Sequence, residues 1–395
     1  MKKIAFVVPW HGENIPGGAE AALRDITNHL FAASWDIEIL TTTVKQFTAD
    51  WNVDFYPEGL TEVYGIPVRR FKIRKRDVDK FNRSNLKLMK NIPLSDYDEK
   101  VFCEENINSP ELYAYMENHK DEYSFFVFIP YMFGTTYYGC QIAPEKSILI
   151  PCFHDESYIY MNVFKKTFSK VRGMMFNAEP ERILTEKVYD VSKVKTKVMG
   201  LGMDTNISGN DQDFREKFNI NSPFMLYAGR KDEGKNVHTL IKYFDEYKKR
   251  NQNDLKLVLI GGGNLPVPDS IKNDVYDLGF VDIQDKYNAY AAAEFLCQPS
   301  HNESFSYVIM ESWLCNRPVI VSEDCNVTSY FAKDSKGGLY FKDYFDFEGA
   351  INFLLNNRDL SNQMGKNGCE YVKSNFDWNV MIEKYREFFK NISMT

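Results

Sequence analysis

The sequence has no long apolar run and no regular cysteine pattern. Its longest apolar runs, such as Ile4–Pro9 and Phe125–Pro130, fall far short of the roughly 20 residues of a membrane-spanning helix. The seven cysteines are odd in number and include no Cys-x-x-Cys pair, which argues against a disulfide framework and a zinc site and favours a reducing compartment. Trp10–Glu13 interrupts the first apolar run, so we interpret this run as a strand rather than a signal peptide.

The composition is typical of a globular cytoplasmic protein. The chain has 395 residues, of which 44% are hydrophobic and 26% charged, and its formal charge is −7 at pH 7. The hydrophobic fraction is too high for a disordered protein, and the acidic total argues against a nucleic-acid partner. At roughly 100–200 residues per domain, this length predicts two or three domains.

Short apolar runs alternate with longer amphipathic stretches. Most runs are continuous in Val, Ile, Leu and Phe, as is typical of parallel strands that are covered by helices on both faces. The candidate strands are Ile4–Val8, Ile37–Thr41, Phe125–Ile129, Ile148–Pro151, Val194–Met199, Met225–Tyr227, Leu257–Ile260, Phe295–Gln298 and Val319–Ser322. The candidate helices include Ala19–Phe31, Val237–Lys249, Ser306–Leu314 and Phe347–Leu355. This alternation predicts a doubly wound α/β fold.

The middle of the chain has the composition of a linker. Gly200–Phe218 is rich in turn-forming residues, and a new strand begins at Phe224. We therefore place the domain boundary near residue 205, which gives domains 1–204 and 205–379.

Two glycine loops follow predicted strands. Gly17 and Gly18 open a helix, and Gly261-Gly262-Gly263 ends the strand Leu257–Ile260. Glycines let a backbone approach an anion, and a helix N-terminus offers unpaired N–H groups to it. Either loop could equally be a plain turn, since neither the Walker motif nor the Gly-x-Gly-x-x-Gly fingerprint is present.

Charged side chains also cluster beside predicted strand ends. Arg230 ends one strand and Lys235 lies five residues further on, a pair that suits a diphosphate. Glu303 precedes a predicted helix and Glu311 lies about two turns inside it, so the two carboxylates could hold separate hydroxyl groups of one ligand. The alternative is that these are ordinary solvated surface charges.

These residues resemble a known family. Glu303–Glu311 looks like the Glu-x7-Glu motif of retaining glycosyltransferase family 4, Gly17–Glu20 is similar to its Gly-Gly-x-Glu loop, and Gly229–Asn236 to its Gly-Arg-x4-Lys-Asn motif. Leu278–Val281, Tyr290–Ser300, Arg317–Ile320 and Gly337–Leu339 fall in the expected order, so the matches extend from residue 4 to about residue 378 and leave only about 44–123 unrecognised.

The resemblance implies the GT-B fold, in which two doubly wound Rossmann-like domains face each other across a cleft. It also implies that a C-terminal helix, about 380–395, packs back on the N-terminal domain. The expected activity is retaining transfer of a sugar from a nucleotide-sugar donor to a glycan or lipid-linked acceptor, in cell-surface polysaccharide or glycoconjugate synthesis. The C-terminal domain would hold most of the donor.

The resemblance assigns roles by position. Arg230 and Lys235 would bind the diphosphate, Glu311 the ribose hydroxyls and Glu303 the sugar hydroxyls, while His154 would contact the donor sugar. The other expected donor contacts are Gly17, Gly18, Gly262, Gly279, Phe280, Val281, Ser304, Phe305 and Ser306. The family usually has Glu-Gly-Phe-Gly where this chain has Glu303-Ser304-Phe305-Ser306. The serines could add hydroxyl contacts or narrow the sugar pocket, and Ser304 could also be a helix N-cap.

No cofactor and no metal ion are expected, because the cationic side chains can stabilise the leaving diphosphate. Asp211-Gln212-Asp213 has the spacing of an Asp-x-Asp metal motif, but it lies in the linker and we interpret it as solvated.

Val68–Lys90 is strongly basic, with ten Lys or Arg side chains and only two Asp. This stretch could dock on an anionic membrane at the inner face, with each cation contributing about 1 kcal/mol, or it could be a solvated face.

Three other functions share the implied fold. A nucleotide-sugar epimerase would release nucleotide without an acceptor, and a glycogen-type phosphorylase would need a pyridoxal lysine, for which no clear context exists. A catalytically inactive partner subunit would not need to keep Arg230, Lys235, Glu303, Glu311 and His154 together.

Overall fold

Short Val, Ile, Leu and Phe runs form the parallel strands of two sheets, because strands that helices cover on both faces have no solvent-exposed side. The computed structural model describes residues 2–394. It divides into a first unit, Met1–Gly202 with Met381–Thr395, and a second unit, Met203–Val380. The division at Met203 lies two residues before the position proposed from composition. The two-domain α/β architecture with parallel sheets is thus confirmed.

The first unit contains one mixed sheet. Its strands are β1 (Lys3–Val7), β2 (Ile37–Thr42), β3 (Gly59–Val63), β4 (Ile66–Phe71), β5 (Tyr123–Phe128), β6 (Ser147–Leu149), β7 (Gly173–Phe176) and β8 (Lys195–Val198). Its helices are α1 (Gly18–Ala32), α2 (Val78–Met89), α3 (Asp96–Glu104), α4 (Pro110–His119), α5 (Gly134–Gly139), α6 (Asn162–Phe168) and α7 (Glu179–Val188). The strand order is β3-β4-β2-β1-β5-β6-β7-β8, and β3 pairs antiparallel with β4 whereas the other pairings are parallel.

The second unit contains a parallel sheet. Its strands are β9 (Phe224–Ala228), β10 (Lys256–Ile260), β11 (Val275–Gly279), β12 (Phe295–Gln298), β13 (Val319–Ser322) and β14 (Gly338–Phe341), in the order β11-β10-β9-β12-β13-β14. Its helices are α8 (Asp211–Phe218), α9 (Val237–Arg250), α10 (Ile283–Ala292), α11 (Tyr307–Leu314), α12 (Asn326–Ser335), α13 (Tyr344–Asn356) and α14 (Arg358–Phe376). Met225 of β9 pairs with Leu257 on one side and with Phe295 on the other, which fixes the register at the centre of the sheet.

Several elements escaped the sequence prediction. The strands β3, β4, β7, β11 and β14 are short or carry polar residues, and β3, β11 and β14 lie at sheet edges, where continuous apolar sequence is not needed. The predicted linker also contains helix α8, which the Asn210 side chain caps by accepting the N–H groups of Gln212 and Asp213. Asp211 pairs with Arg215 one turn later on this helix. The turn formers therefore mark a helix start rather than a long loop.

The last helix, α15 (Trp378–Ser393), packs on the first unit. The buried Phe389 ring lies 5.5 Å from Trp35 and 5.4 Å from Phe125. The Lys384 ammonium donates to the carbonyl of Met199 at 3.1 Å. Among residues 2–394, no helix has both the length and the apolar character that crossing a bilayer requires.

We expect Phe389→Ala to weaken the first unit selectively. Removing a fully buried phenylalanine costs about 3–5 kcal/mol, and its ring contacts lie within that unit. Hydrogen exchange should then speed up in β5 and leave β9 and β10 unchanged. Phe345→Ala, at a ring that is 67% exposed on α13, is the control. Equal exchange rates in β5 of both variants would contradict this packing role.

Candidate active site

The charged residues of the second unit lie where its strands end. All strands of this sheet are parallel, so their carboxyl ends share one edge. Gly229 and Arg230 follow β9, and Glu303 lies in the loop after β12. The chain leaves β9 for β10 and β11 before it returns to β12 on the other side of β9. This reversal point is the position at which open α/β sheets bind ligands.

An ion pair bridges the reversal point. Lys235 Nζ lies 2.7 Å from Glu303 Oε1, and the two side chains are 23% and 11% exposed. The amide of the next residue, Asn236, donates to the carbonyl of Pro299 at 3.1 Å. The loops after β9 and β12 are therefore held together by charge and by a hydrogen bond.

Arg230 is placed differently from Lys235. Its side chain is 75% exposed, and its Nε lies 3.4 Å from Asp232 Oδ2. A contact of this kind at the surface contributes little to stability, so the guanidinium remains available to an anion. Asp232 also accepts the backbone N–H of Lys235 at 3.0 Å, which starts the short helical turn that carries Lys235.

Glycines let the neighbouring loops approach closely. Gly229 and Gly261 have φ values of 152° and 122°, and a Cβ on Gly261 would lie 2.0 Å from the carbonyl oxygen of Gly229. A Cβ on Gly262 would lie 2.6 Å from the ring of Phe280. The Phe280 side chain is 86% exposed, so this approach alone does not require glycine at position 262, and the predicted contact of Gly262 with the donor stays a prediction.

Glu311 lies on α11 and is buried. Its Oε1 accepts the Lys286 ammonium at 2.7 Å and its Oε2 accepts the Tyr290 hydroxyl at 2.9 Å. Burial and the adjacent carboxylate raise the pKa of Tyr290, so this hydroxyl stays protonated and donates. Each carboxylate oxygen keeps a further lone pair for a ligand hydroxyl.

Sequence reasoning missed several of these partners. Lys286 and Tyr290 are four residues apart, so they share one face of α10. That spacing is the only local signal for them. Lys231 is buried and pairs with the exposed Asp277 of β11, and nothing in the sequence distinguishes it from a surface lysine.

The Ser304–Ser306 segment departs from its predicted role in two ways. Phe305 is buried, 5.5 Å from Phe331 and 4.9 Å from Phe376, so only its backbone is available to a ligand. The N-cap of α11 is Ser306 rather than Ser304. Ser306 has φ 77°, in the left-handed region, and its buried hydroxyl has no hydrogen-bond partner among the described residues.

Gly279 is the last residue of β11, and Phe280 and Val281 follow it at the same sheet edge. Gly279 has φ 64°, and its N–H donates to Asp277 Oδ1 at 3.1 Å. The Phe280 ring is 86% exposed. Phe280 and Val281 line a cavity of about 310 Å³ together with Lys217, Phe218, Leu278, Asp282 and Asp285.

In the first unit, the predicted residues also follow strand ends. Gly17 has φ 143° at the N-cap of α1, and a Cβ there would lie 2.0 Å from Glu20 Oε2. Glu20 in turn accepts the indole N–H of Trp10 at 2.9 Å. A Cβ on Gly18 would meet nothing within 4 Å. The backbone conformation therefore favours glycine at position 17, whereas neither a positive φ nor packing requires it at position 18.

His154 lies in the loop after β6 and is partly exposed. Its Nδ1 is 3.9 Å from Glu156 Oε1, and that oxygen accepts the buried Tyr131 hydroxyl at 3.0 Å. The ring is thus placed next to a carboxylate that is itself held in position.

The basic stretch Val68–Lys90 does not form one surface. It consists of β4, a connection and α2, and most of its cations contact groups within the first unit. Arg69 pairs with Glu38, Arg74 with Glu104 and Glu105, Lys72 with Glu58, Lys75 with Asp54, Lys80 with Asp77 and Lys87 with Asp98. Arg70 lies over the ring of Tyr56, and Arg76 over that of Trp51. Arg83 and Lys90 remain exposed without an ion pair among the described residues.

Residues 2–394 contain no group of three or more His, Cys, Asp or Glu side chains arranged to hold a metal ion.

Comparison with known proteins agrees with this architecture. Residues 210–371, less than half of the chain, match the family model "Glycosyl transferases group 1". An uncharacterized glycosyltransferase of Methanocaldococcus jannaschii is 19% identical over 99% of this chain and 100% of its own length. The O-antigen chain mannosyltransferase C of Escherichia coli is 23% identical over 54% of this chain and 60% of its own length. A D-inositol 3-phosphate glycosyltransferase of Corynebacterium efficiens is 26% identical over 48% of this chain and 49% of its own length.

Solved structures share the fold over almost the whole chain. Sucrose-phosphate synthase from Thermosynechococcus elongatus has a TM-score of 0.72 at 17% identity and covers 100% of both chains. HepE from Anabaena, in complex with UDP-glucose, has a TM-score of 0.69 at 16% identity and covers 99% of this chain and 100% of its own. The chain therefore has the GT-B fold, and the family match over its second unit supports the activity of a group 1 glycosyltransferase.

Proposed function

We propose that this protein is a retaining, metal-independent glycosyltransferase that moves a sugar from a nucleotide-sugar donor to a glycan or lipid-linked acceptor. The observation that carries the proposal is the Lys235–Glu303 ion pair at the reversal point of the second sheet, with Arg230 open beside it. The same sheet edge thus offers cations that can bind a diphosphate, and it also offers a carboxylate that can accept sugar hydroxyls. The name of the E. coli relative favours a role in cell-surface polysaccharide or glycoconjugate synthesis.

Donor binding would exchange partners within the ion pair. The diphosphate would take the ammonium of Lys235 and the fork of Arg230, since both bind phosphate oxygens well. Glu303 would then be free to accept hydroxyl groups of the sugar. Glu311, held by Lys286 and Tyr290, would accept the ribose hydroxyls.

The chemical step needs stabilisation of the leaving diphosphate. Fixed cations placed where negative charge develops lower the barrier, because they require no reorganisation during the reaction. Arg230 and Lys235 would supply this stabilisation, with no metal ion required. We further propose that Gly17, Gly18 and His154 of the first unit act on the same donor.

We expect Arg230→Ala and Lys235→Ala each to lower kcat on the order of 100-fold, as loss of one preorganised charge-stabilising group does. Nucleotide release and labelled product would be measured with a panel of UDP-, GDP-, ADP- and dTDP-sugars. Lys242→Ala, at an exposed residue of α9, should leave turnover unchanged. Full activity of both site variants would refute the assignment.

The same assay tests the rest of the proposal. NMR of the wild-type product should show the anomeric configuration of the donor, and EDTA should leave the rate unchanged. Inversion of configuration, or loss of activity in EDTA, would contradict the proposed mechanism. Release of free nucleotide without any acceptor would instead indicate an epimerase.

Ser306 provides a second test of the donor site. A non-glycine residue in the left-handed region costs about 1–2 kcal/mol, and an unpaired buried hydroxyl costs about 1–3 kcal/mol. Both costs are unexplained by packing, so we propose that the hydroxyl contacts the donor sugar.

We expect Ser306→Gly to stabilise the second unit by about 1 kcal/mol, because it removes both costs and adds only unfolded-state entropy. Hydrogen exchange in α11 would measure the stability, and KM for the donor should rise as the sugar contact is lost. Ser304→Gly, at a position without positive φ, should give no stabilisation. An unchanged KM in Ser306→Gly would refute the proposed contact between this hydroxyl and the donor sugar.

We further propose that the protein binds an anionic membrane through the groove between α2 and α3. This cavity of about 420 Å³ is lined by Lys80, Arg83, Ser84, Leu86, Lys87, Lys90, Ile92, Tyr97, Asp98 and Val101. Leu86, Ile92 and Tyr97 are 51%, 48% and 71% exposed. Apolar side chains beside the two unpaired cations, Arg83 and Lys90, suit an anionic lipid surface, which offers phosphates at the level of its apolar layer.

We expect wild-type protein to sediment with anionic phosphatidylglycerol vesicles at low salt and not with phosphatidylcholine vesicles. The charge-reversal variant Arg83→Glu/Lys90→Glu should stay in the supernatant, since like charges now face the lipid. Lys193→Glu/Lys195→Glu, which reverses two exposed lysines elsewhere in the first unit, should still sediment. Equal sedimentation of both double variants would exclude this groove as the docking surface.

A further inference from the structure

Glu181 is a buried carboxylate that contacts two loops of the first unit. It lies in the first turn of α7 and is 1% exposed. Its Oε1 accepts the N–H of Phe153, in the loop after β6, at 2.7 Å. Its Oε2 accepts the N–H of Asn177, in the loop after β7, also at 2.7 Å. No cationic side chain of residues 2–394 lies within ion-pair distance of it.

Helix capping explains only half of this arrangement. The contact with Asn177, the residue before the N-cap Ala178, is that of a third-position glutamate reaching back past the start of its own helix, similar to a capping box. The contact with Phe153 joins α7 to a different loop and adds nothing to the cap. Burial of a carboxylate without a cation is costly, so the second contact calls for a separate explanation.

The loop that Glu181 holds is the one that carries His154. Cys152 has φ 58°, in the left-handed region, and its Sγ accepts the side-chain amide of Asn177 at 3.5 Å. The Phe153 ring is buried between Tyr131 and Tyr189, at 4.7 and 5.2 Å. The residue before His154 is thus fixed through both its ring and its N–H, while the imidazole itself stays partly exposed.

We propose that Glu181 is a positioning residue, whose carboxylate holds the Cys152–Glu156 loop and thereby sets the place of the His154 imidazole. The inference rests on the proposed function, in which His154 acts on the donor. Glu181 does not touch the donor itself, because its two oxygens are occupied by backbone N–H groups of the same unit.

Ionisation of Glu181 gives this contact a distinctive pH dependence. Burial raises the pKa of Glu181 from 4.5 to about 7, and the backbone N–H bonds and the nearby His154 oppose that rise only in part. The titratable groups that face it are His154 and Cys152. Below pH 7 one oxygen carries a proton and becomes the weaker acceptor, so the loop is held best above pH 7.

The stability of the fold has the opposite pH dependence. Between pH 4.5 and about pH 7 the folded protein binds this proton and the unfolded chain does not. Raising the pH through this window therefore removes stability that protonated Glu181 provides at lower pH. Activity should rise with pH where stability falls, which a purely structural residue would not produce.

Glu181→Gln tests the proposal, because the amide is isosteric yet accepts only one of the two N–H groups. We expect kcat to fall about 10- to 100-fold, as a misplacement near 1 Å does, with little change in KM. The acid limb near pH 7 should disappear from the kcat profile. In protein labelled with 15N-histidine, the His154→Ala variant would identify the ring signals of His154 among those of the six histidines. We expect these signals to shift in Glu181→Gln. Glu179→Gln is the control, on the same helix at a carboxylate that pairs with Arg182. It should match wild type in kcat, in the pH profile of kcat and in the His154 signals.

The possible outcomes are distinguishable. Unchanged His154 signals in Glu181→Gln would overturn the inference, whatever the rate. Full activity of His154→Ala would refute the role of His154 in the proposed function, while a shift of its signals in Glu181→Gln would still support positioning by Glu181. If Glu181→Gln does not fold, Glu181→Asp keeps the charge but cannot reach both loops, and the same signals should shift. Unchanged His154 signals in Glu181→Asp would also overturn the inference.

Discussion

The parallel arrangement of the strands is the constraint on which the candidate site depends. Parallel strands end at one edge, so the loops after β9 and β12 meet although Lys235 and Glu303 are 68 positions apart in the sequence. At that edge the chain reverses its direction of winding, and the Lys235–Glu303 ion pair closes the gap. Glycine at 261 lets the next loop approach without a clash. A cation and a carboxylate thus share one place because of sheet topology, not because of sequence proximity.

Three buried or nearly buried glutamates satisfy their charge in different ways. Glu303 uses one lysine, and Glu311 uses Lys286 together with the Tyr290 hydroxyl. Glu181 is held by backbone N–H groups rather than by a lysine or arginine, and burial raises its pKa to about 7. A carboxylate with a cation beside it can exchange that partner for a ligand, whereas one without a cation is suited to hold backbone in place.

The basic stretch shows how folding redistributes charge. In the sequence, Val68–Lys90 looks like one cationic segment, but β4, the connection after it and α2 direct most of its cationic side chains to carboxylates and aromatic rings of the same unit. Among the described residues of this stretch, only Arg83 and Lys90 contact neither a carboxylate nor an aromatic ring, and they lie next to exposed apolar side chains. Counting Lys and Arg residues in a sequence segment therefore overestimates the electrostatic attraction of a partner to that segment. Cations that are already paired attract anions only weakly.

The sequence by itself determined the parallel α/β class, the centre strands and the motifs at strand ends, since continuous apolar runs such as Leu257–Ile260 and glycines with positive φ carry their own structural reason. It did not reveal the strands β3, β4, β7, β11 and β14, helix α8, the burial of Phe305 or the partners Lys286 and Tyr290 of Glu311. The roles of Arg230, Lys235, Glu303 and His154 stay predictions. Only the tertiary structure decided which charges meet, because ion pairs such as Lys235–Glu303 and clamps such as Glu181–Phe153 join residues that no local pattern relates.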